Sequence, residues 1–156
     1  MTAIFSPCRK WRYTLERRWG GGTTAAFILL NPSTADETQD DPTIRRCIGY
    51  AKAWGHGSLI VGNIFALRST DPKALYSADD PVGPDNDGYL NGIADMASVV
   101  VCGWGTHGGF RGRGSEVLRM LEAFRPTYLK LTKGGLPCHP LYLKSDLAPQ
   151  EWGTGK

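Results

Sequence analysis

The 156-residue sequence has no long apolar run. Its longest, Ala25–Leu30, spans six residues, whereas a membrane-crossing helix needs about 20. Cysteine is scarce: Cys8, Cys47, Cys102 and Cys138 form no C-x-x-C pair, and no histidine stands near them at zinc-ligand spacing. Free thiols fit this scatter better than a disulfide framework or an iron–sulfur or zinc site. The G-K-[ST] ending of a phosphate-binding loop, the Rossmann glycine spacing, a G-x-S-x-G elbow and an H-E-x-x-H pair are all missing. Ser33, Asp36 and His139 therefore lack the context of a nucleophile triad. No charge of one sign dominates, since 18 Lys and Arg face 15 Asp and Glu for a net +3. That balance permits a phosphate-bearing partner without demanding one. Met1 to Arg12 carry no apolar stretch of signal length and no A-x-A pattern, so a cytoplasmic protein with no membrane association is expected.

What is present reads as one α/β domain over residues 1–156. Gly (20) and Pro (10) are abundant and imply many shaped turns. Arg12–Trp19 alternates polar and apolar residues, Gly20-Gly21-Gly22 follows, and Thr24–Leu30 is a buried apolar strand ended by Asn31-Pro32. These segments predict an N-terminal β-hairpin. Asp41-Pro42-Thr43 has the form of a helix start, with a capping carboxylate and proline at the first helical position. Ile44, Cys47, Ile48, Ala51 and Trp54 then recur at helical spacing. Leu59–Phe65 and Ser98–Cys102 read as further buried strands, and Thr127–Leu131 as a fourth. Helices are expected near Pro72–Tyr76, from Asp85 or Asn86 to Met96, and over Ser115–Phe124. Alternating strands and helices predict a three-layer α/β/α fold with a mainly parallel four-stranded sheet plus the hairpin.

Ligand sites in such folds lie beyond the carboxyl ends of the strands. Special residues stand at each of these ends: Asn31-Pro32-Ser33, Asn63 to Arg68, Gly103-Trp104-Gly105, and Thr132 to Tyr142. An asparagine there can hold water or read a polar edge with both donor and acceptor, although a plain turn uses the same residues. Asp36, Asp40 and Asp41 could meet a divalent cation, but their spacing is not that of a calcium loop. Thr43, Arg45 and Arg46, on the first turns of a helix, suit a phosphate or a solvated face equally. The stretch from Gly103 to Gly114 carries Arg111 and Arg113 and reads as a mobile basic loop. Trp104 suits stacking or core packing. His56 and His107 read as exposed turn residues. His139, fixed between prolines in Pro137-Cys138-His139-Pro140, can donate to developing negative charge.

Phe27-Ile28-Leu29-Leu30-Asn31-Pro32-Ser33-Thr34-Ala35-Asp36 followed by Asp41-Pro42-Thr43-Ile44-Arg45-Arg46-Cys47 closely resembles a bacterial and phage family, domain of unknown function 1643. The likeness continues through Asn63-Ile64-Phe65-Ala66-Leu67-Arg68 and Asp80 to Asp87, and ends with Thr132-Lys133, Gly135, Pro137 and His139 to Leu143. More distantly, the order of blocks resembles the uracil-DNA glycosylase superfamily. Leu29-Leu30-Asn31-Pro32-Ser33 is similar to a G-I-N-P-G motif whose asparagine positions the attacking water. His139-Pro140-Leu141-Tyr142 is similar in its first two residues to an H-P-S-P motif whose histidine stabilises the departing base. Ser33 and Leu141 depart from those patterns.

The resemblance implies hydrolysis of an N-glycosidic bond to a modified or damaged base in DNA, without metal or organic cofactor. Asn31 and His139 would be catalytic. Pro32, Ser33, Asp36, Asn63, Arg68, Trp104 and Tyr142 would contact substrate. Thr43, Arg45, Arg46, Arg111, Arg113 and Lys133 would hold phosphates. Two other functions suit the same residues: a non-catalytic module for a nucleotide or modified base, and a metal-dependent phosphohydrolase using Asp36 and Asp41. The partner is DNA or a nucleotide on these readings, and the oligomeric state is left open.

Overall fold

A computed structural model describes residues 2–152. The strands are β1 (Thr2–Phe5), β2 (Arg12–Arg18), β3 (Thr24–Leu29), β4 (Ser58–Asn63), β5 (Val99–Gly103), β6 (Thr127–Tyr128) and β7 (Gln150–Glu151). The α-helices are α1 (Pro42–Ala53), α2 (Ala74–Ser77), α3 (Asn86–Met96) and α4 (Arg113–Met120). All seven strands join one sheet in the order β1-β2-β4-β3-β5-β6-β7. The pairs β4–β3, β3–β5 and β5–β6 are parallel, and β1–β2, β2–β4 and β6–β7 are antiparallel. The sheet is therefore mixed, not mainly parallel. No helix among the described residues is long and apolar enough to cross a membrane.

The sheet is buried on both faces. Ala26, Ile28 and Leu30 turn to one side and join Leu90, Ile93, Val117 and Leu121 of the α3 and α4 side. Phe27 and Leu29 turn to the other and meet Ile44, Cys47 and Tyr50 of α1. Each such large apolar side chain contributes about 1.5–3 kcal/mol on burial. Asp41 caps α1 as its sequence implies: its Oδ1 accepts from Ile44 N at 2.9 Å, with Pro42 in the first turn.

The expected hairpin of Arg12–Trp19 with Thr24–Leu30 does not form, because β4 lies between β2 and β3. Trp19 N and Gly20 N both donate to Gly57 O at 3.0 Å, so the glycine run crosses the start of β4 instead of closing a turn. A Cβ on Gly57 would lie 2.1 Å from Gly21 O, so the crossing requires glycine there. The hairpin that does form joins β1 to β2, and β1 and β7 had no expectation attached. The strand expected over Thr127–Leu131 pairs only at Thr127–Tyr128. The last helix begins two residues early and ends at Met120, followed by a 3-10 turn over Glu122–Phe124.

Candidate functional site

From β3 the chain turns to α1 on one face; from the neighbouring β5 it turns to a 3-10 segment (Thr106–Gly112) and α4 on the other. Loops leaving adjacent parallel strands in opposite directions open a crevice between them. A cavity of about 630 Å³ lies there. Its walls come from the loop after β3, the start of α1, the loop after β4, the end of β5 and the segment after β6. Of the residues singled out in the sequence, Asn31, Ser33, Asp41, Thr43, Trp104, His107, His139 and Tyr142 line it.

Asn31 ends β3. Its Nδ2 donates to Ser69 O at 3.0 Å and Pro32 O at 3.2 Å, with Leu67 O at 3.5 Å. Three carbonyls around one amide end fix its orientation, because the flipped amide would set oxygen against oxygen. The amide oxygen has no partner among the described residues and is the end available to a ligand.

His139 precedes a 3-10 turn over Pro140–Tyr142 and caps it, its Nδ1 accepting from Leu141 N at 3.2 Å. An accepting Nδ1 places the ring proton on Nε2. Burial lowers the pKa, opposed by the charge of Asp41, so the imidazole is held neutral as a donor. The segment carrying it is anchored on α1: Tyr50 Oη donates to Lys144 O, and Trp54 Nε1 to Leu147 O at 3.1 Å. Tyr142 stands at the mouth, 84% exposed, its ring centroid 6.2 Å from that of His139.

Three arginines hold the loop between β3 and α1. Arg12 is 2% exposed and donates through Nη1 to Ala35 O at 3.0 Å and through Nη2 to Asn63 Oδ1 at 3.5 Å. Burial pushes its pKa down to about 10 against the opposing charge of Asp41. Arg17 donates to Asp40 Oδ1 at 2.7 Å, to Gln39 O at 3.1 Å and to Asp36 O. Arg9 grips Glu37 with two hydrogen bonds of 2.7 and 2.9 Å. The cavity wall is thus fixed by forks that reach backbone carbonyls and carboxylates. The sequence reading gave none of the three this role: Arg12 and Arg17 are buried in β2, and nothing in an alternating strand marks a buried arginine, while Arg9 is an exposed residue of the turn before it.

Several expected site residues lie off the cavity. Asp36 Oδ1 accepts from Thr38 N and Gln39 N at 3.0 and 2.8 Å, closing a turn. Asn63 is buried, with its carbonyl accepting from Asn86 Nδ2 at 2.8 Å. Pro32 and Arg68 do not line the cavity either; the Arg68 guanidinium lies 4.7 Å from the Phe5 ring centroid. Of the expected phosphate ligands, Arg45 donates to Asp40 O and Arg111 to Ala78 O. Arg46 lies over Tyr50, and Lys133 is exposed. Arg113 is buried, bonded to Ile64 O, Asp87 and Glu116. Each of its three nitrogens donates within the fold, and the bond to Asp87 ties the start of α4 to α3. No group of three or more His, Cys, Asp or Glu among the described residues could hold a metal ion. The acidic residues proposed for one are engaged in the turn, the arginine pair and the helix cap.

The glycine-rich stretch folds as a 3-10 segment that wraps Trp104. Trp104 is 1% exposed, and a Cβ on Gly108 or Gly114 would sit 1.9 Å from its Cδ1 or 2.7 Å from its Nε1. The indole therefore forms part of the cavity floor. His107, read as an exposed turn residue, lies on the rim and bonds Tyr76 Oη through Nδ1 at 2.8 Å. Thr34, Thr70, Thr106 and Cys138 also line the cavity and were not singled out. Their signal was position alone, each falling within a few residues of a strand end or a motif.

These features define a mixed α/β protein with a strand-end cavity at a switch in strand order. The chain belongs to the family described as protein of unknown function (DUF1643), whose model matches residues 12–141. No curated protein and no solved structure matches the chain, so the likeness to uracil-DNA glycosylases rests on the motif residues themselves.

Proposed function

We propose that this protein hydrolyses the N-glycosidic bond between a nucleobase and its sugar, acting on a modified or damaged base in DNA in the manner of uracil-DNA glycosylases. One observation carries the reading. Asn31 and His139, from loops far apart in the chain, line one cavity, the first with its amide oxygen unpaired and the second as a neutral donor. The Asn31 oxygen accepts a hydrogen from water and aims the water's lone pair at the anomeric carbon. The carbon–nitrogen bond breaks as the carbon–oxygen bond forms. The base leaves with the bonding pair and takes up a proton, and the water's remaining hydroxyl stays on the sugar. His139 Nε2–H donates to the departing base anion, an interaction worth about 10²–10³ in rate at comparable sites. Tyr142 offers a stacking face at the mouth. With no cationic side chain in the lining, the phosphates of the backbone stay outside.

A second reading, non-catalytic binding of a base, draws on Asp41. Its two carboxylate oxygens accept from Ile44 N and Ala35 N, so the carboxylate that lines the cavity is already employed in capping α1 and holding the loop before it. Base release decides between the two. The protein is incubated with single- and double-stranded oligonucleotides carrying uracil, hypoxanthine, mismatches or modified pyrimidines, and free base is read by mass spectrometry. Release that disappears in both Asn31→Ala and His139→Ala is expected. Binding without release from any substrate would favour the module.

A further inference from the structure

The lining of the cavity is unusual in its charge and in its hydroxyls. It holds no Lys or Arg, and its one carboxylate, Asp41, has both oxygens occupied. A phosphate there would meet a fixed negative charge and no cation to offset it. Ser33, Thr34, Thr43, Thr70 and Thr106 line the cavity from four segments of the chain, and none of their hydroxyls has a partner among the described residues. A hydroxyl both donates and accepts. Five such residues around one space match a ligand whose own groups also do both, as those of a sugar do. A keto–amide base edge instead calls for donors and acceptors in fixed places. The volume of about 630 Å³ falls in the range of about 300–1,000 Å³ that takes a drug-sized molecule, far more than a single pyrimidine ring fills.

We infer that the cavity takes an uncharged, polyhydroxylated ring joined to a nucleobase and excludes phosphate. This rests on, and narrows, the proposed nucleobase reading. Two sources supply such a ring: the sugar of an unphosphorylated ribonucleoside, or a sugar carried on the base within DNA. Base and ring share the one space that Asn31, His139, Thr70 and Thr106 line.

Binding is measured by titration calorimetry with four probes: cytidine, cytidine 5′-monophosphate, a deoxyoligonucleotide bearing a hexose on a 5-hydroxymethylcytosine, and the same oligonucleotide with plain cytosine. Thr70→Val and Thr106→Val remove hydroxyls at nearly constant shape, and Thr70→Ser restores one. The expected result is a preference of about tenfold for one sugar-bearing probe over its control. That control is the monophosphate for cytidine and the plain oligonucleotide for the hexose probe. The double valine variant binds the favoured sugar-bearing probe about tenfold more weakly, as two hydroxyl contacts imply, and Thr70→Ser keeps the parent affinity. Equal binding of all probes, binding of none, or valine variants that bind that probe as the parent does would overturn the inference. Catalysis is read separately. Preferential binding without base release sinks the hydrolase and leaves this inference standing. Base release that ignores the sugar does the reverse.

Discussion

The orientation of Asn31 can be tested without knowing the substrate. Asn31→Asp replaces the amide nitrogen with oxygen while keeping the shape. The carboxylate then points one oxygen at the carbonyls of Pro32, Leu67 and Ser69, where the amide donated at 3.2, 3.5 and 3.0 Å. Loss of the two shorter bonds costs about 1–3 kcal/mol, and an unpaired charge among acceptors adds about 1–3 more. Asn31→Ala loses the same bonds without the repulsion, so the difference between the variants isolates it. In a chain of this length about 1 kcal/mol moves the melting temperature by roughly 2–4 °C. Asn31→Asp should therefore melt roughly 4–24 °C below the parent at pH 8, and clearly below Asn31→Ala. The repulsion also raises the folded-state pKa of the introduced carboxyl. Once protonated it can donate like the amide. Its contribution is fully present below the unfolded-state pKa and is lost as pH rises through the raised folded value. Circular-dichroism melts from pH 5 to 8, each referenced to the parent at the same pH, read both effects. If Asn31→Asp melts within about 2 °C of the parent at every pH, the amide is turned the other way. Its oxygen is then not available to water, and the catalytic reading loses its support.

Three further outcomes are expected. Gly108→Ala forces a methyl to within 1.9 Å of Trp104 and should cost about 1–3 kcal/mol in urea unfolding, whereas Ala at Gly109, where a Cβ meets only Leu136 Cδ1 at 4.0 Å, should cost less than half as much. Arg17→Met leaves Asp40 and the Asp36 carbonyl of the loop between β3 and α1 unpaired and should cost about 2–4 kcal/mol; Arg17→Lys should not recover this, because an ammonium cannot span the same fork. Burial holds the pKa of His139 below its ordinary 6.5, so the unfolded chain binds the extra proton first as pH falls. The stability from neutral His139 is complete above about pH 6.5 and is lost as pH drops through the folded value. Base release should likewise keep its rate from pH 7 to 8, with an acid limb below 6.5 that His139→Gln abolishes.

Much of this architecture could be read from local patterns. The apolar run of β3, its stop at Asn31-Pro32 and the Asp41-Pro42 start of α1 are each set by a few neighbouring residues. So is the placing of Asn31, Trp104 and His139 near strand ends. Strand pairing is not local. Gly20 to Gly22 looks the same whether it closes a hairpin or crosses another strand, and only the close approach of Gly57 to Gly21 decides it. Arg12 and Arg17 illustrate the same limit. Their role depends on carbonyls of a loop some twenty residues away, and an alternating strand gives no sign of it. The glycines after Trp104 were visible, but their reason, a buried indole that leaves no room for a Cβ, lies in packing.

The sheet's outer strands have a consequence for solution behaviour. Its two borders are β1, four residues long, and β7, two residues long, both antiparallel to their neighbours. A long parallel strand left at a border would offer a row of open amides to another chain. Here the apolar parallel strands are enclosed, and the borders are too short to template much added pairing. Concentrated solutions should therefore resist growth by strand addition, and deleting the first strand should expose β2 and favour self-association.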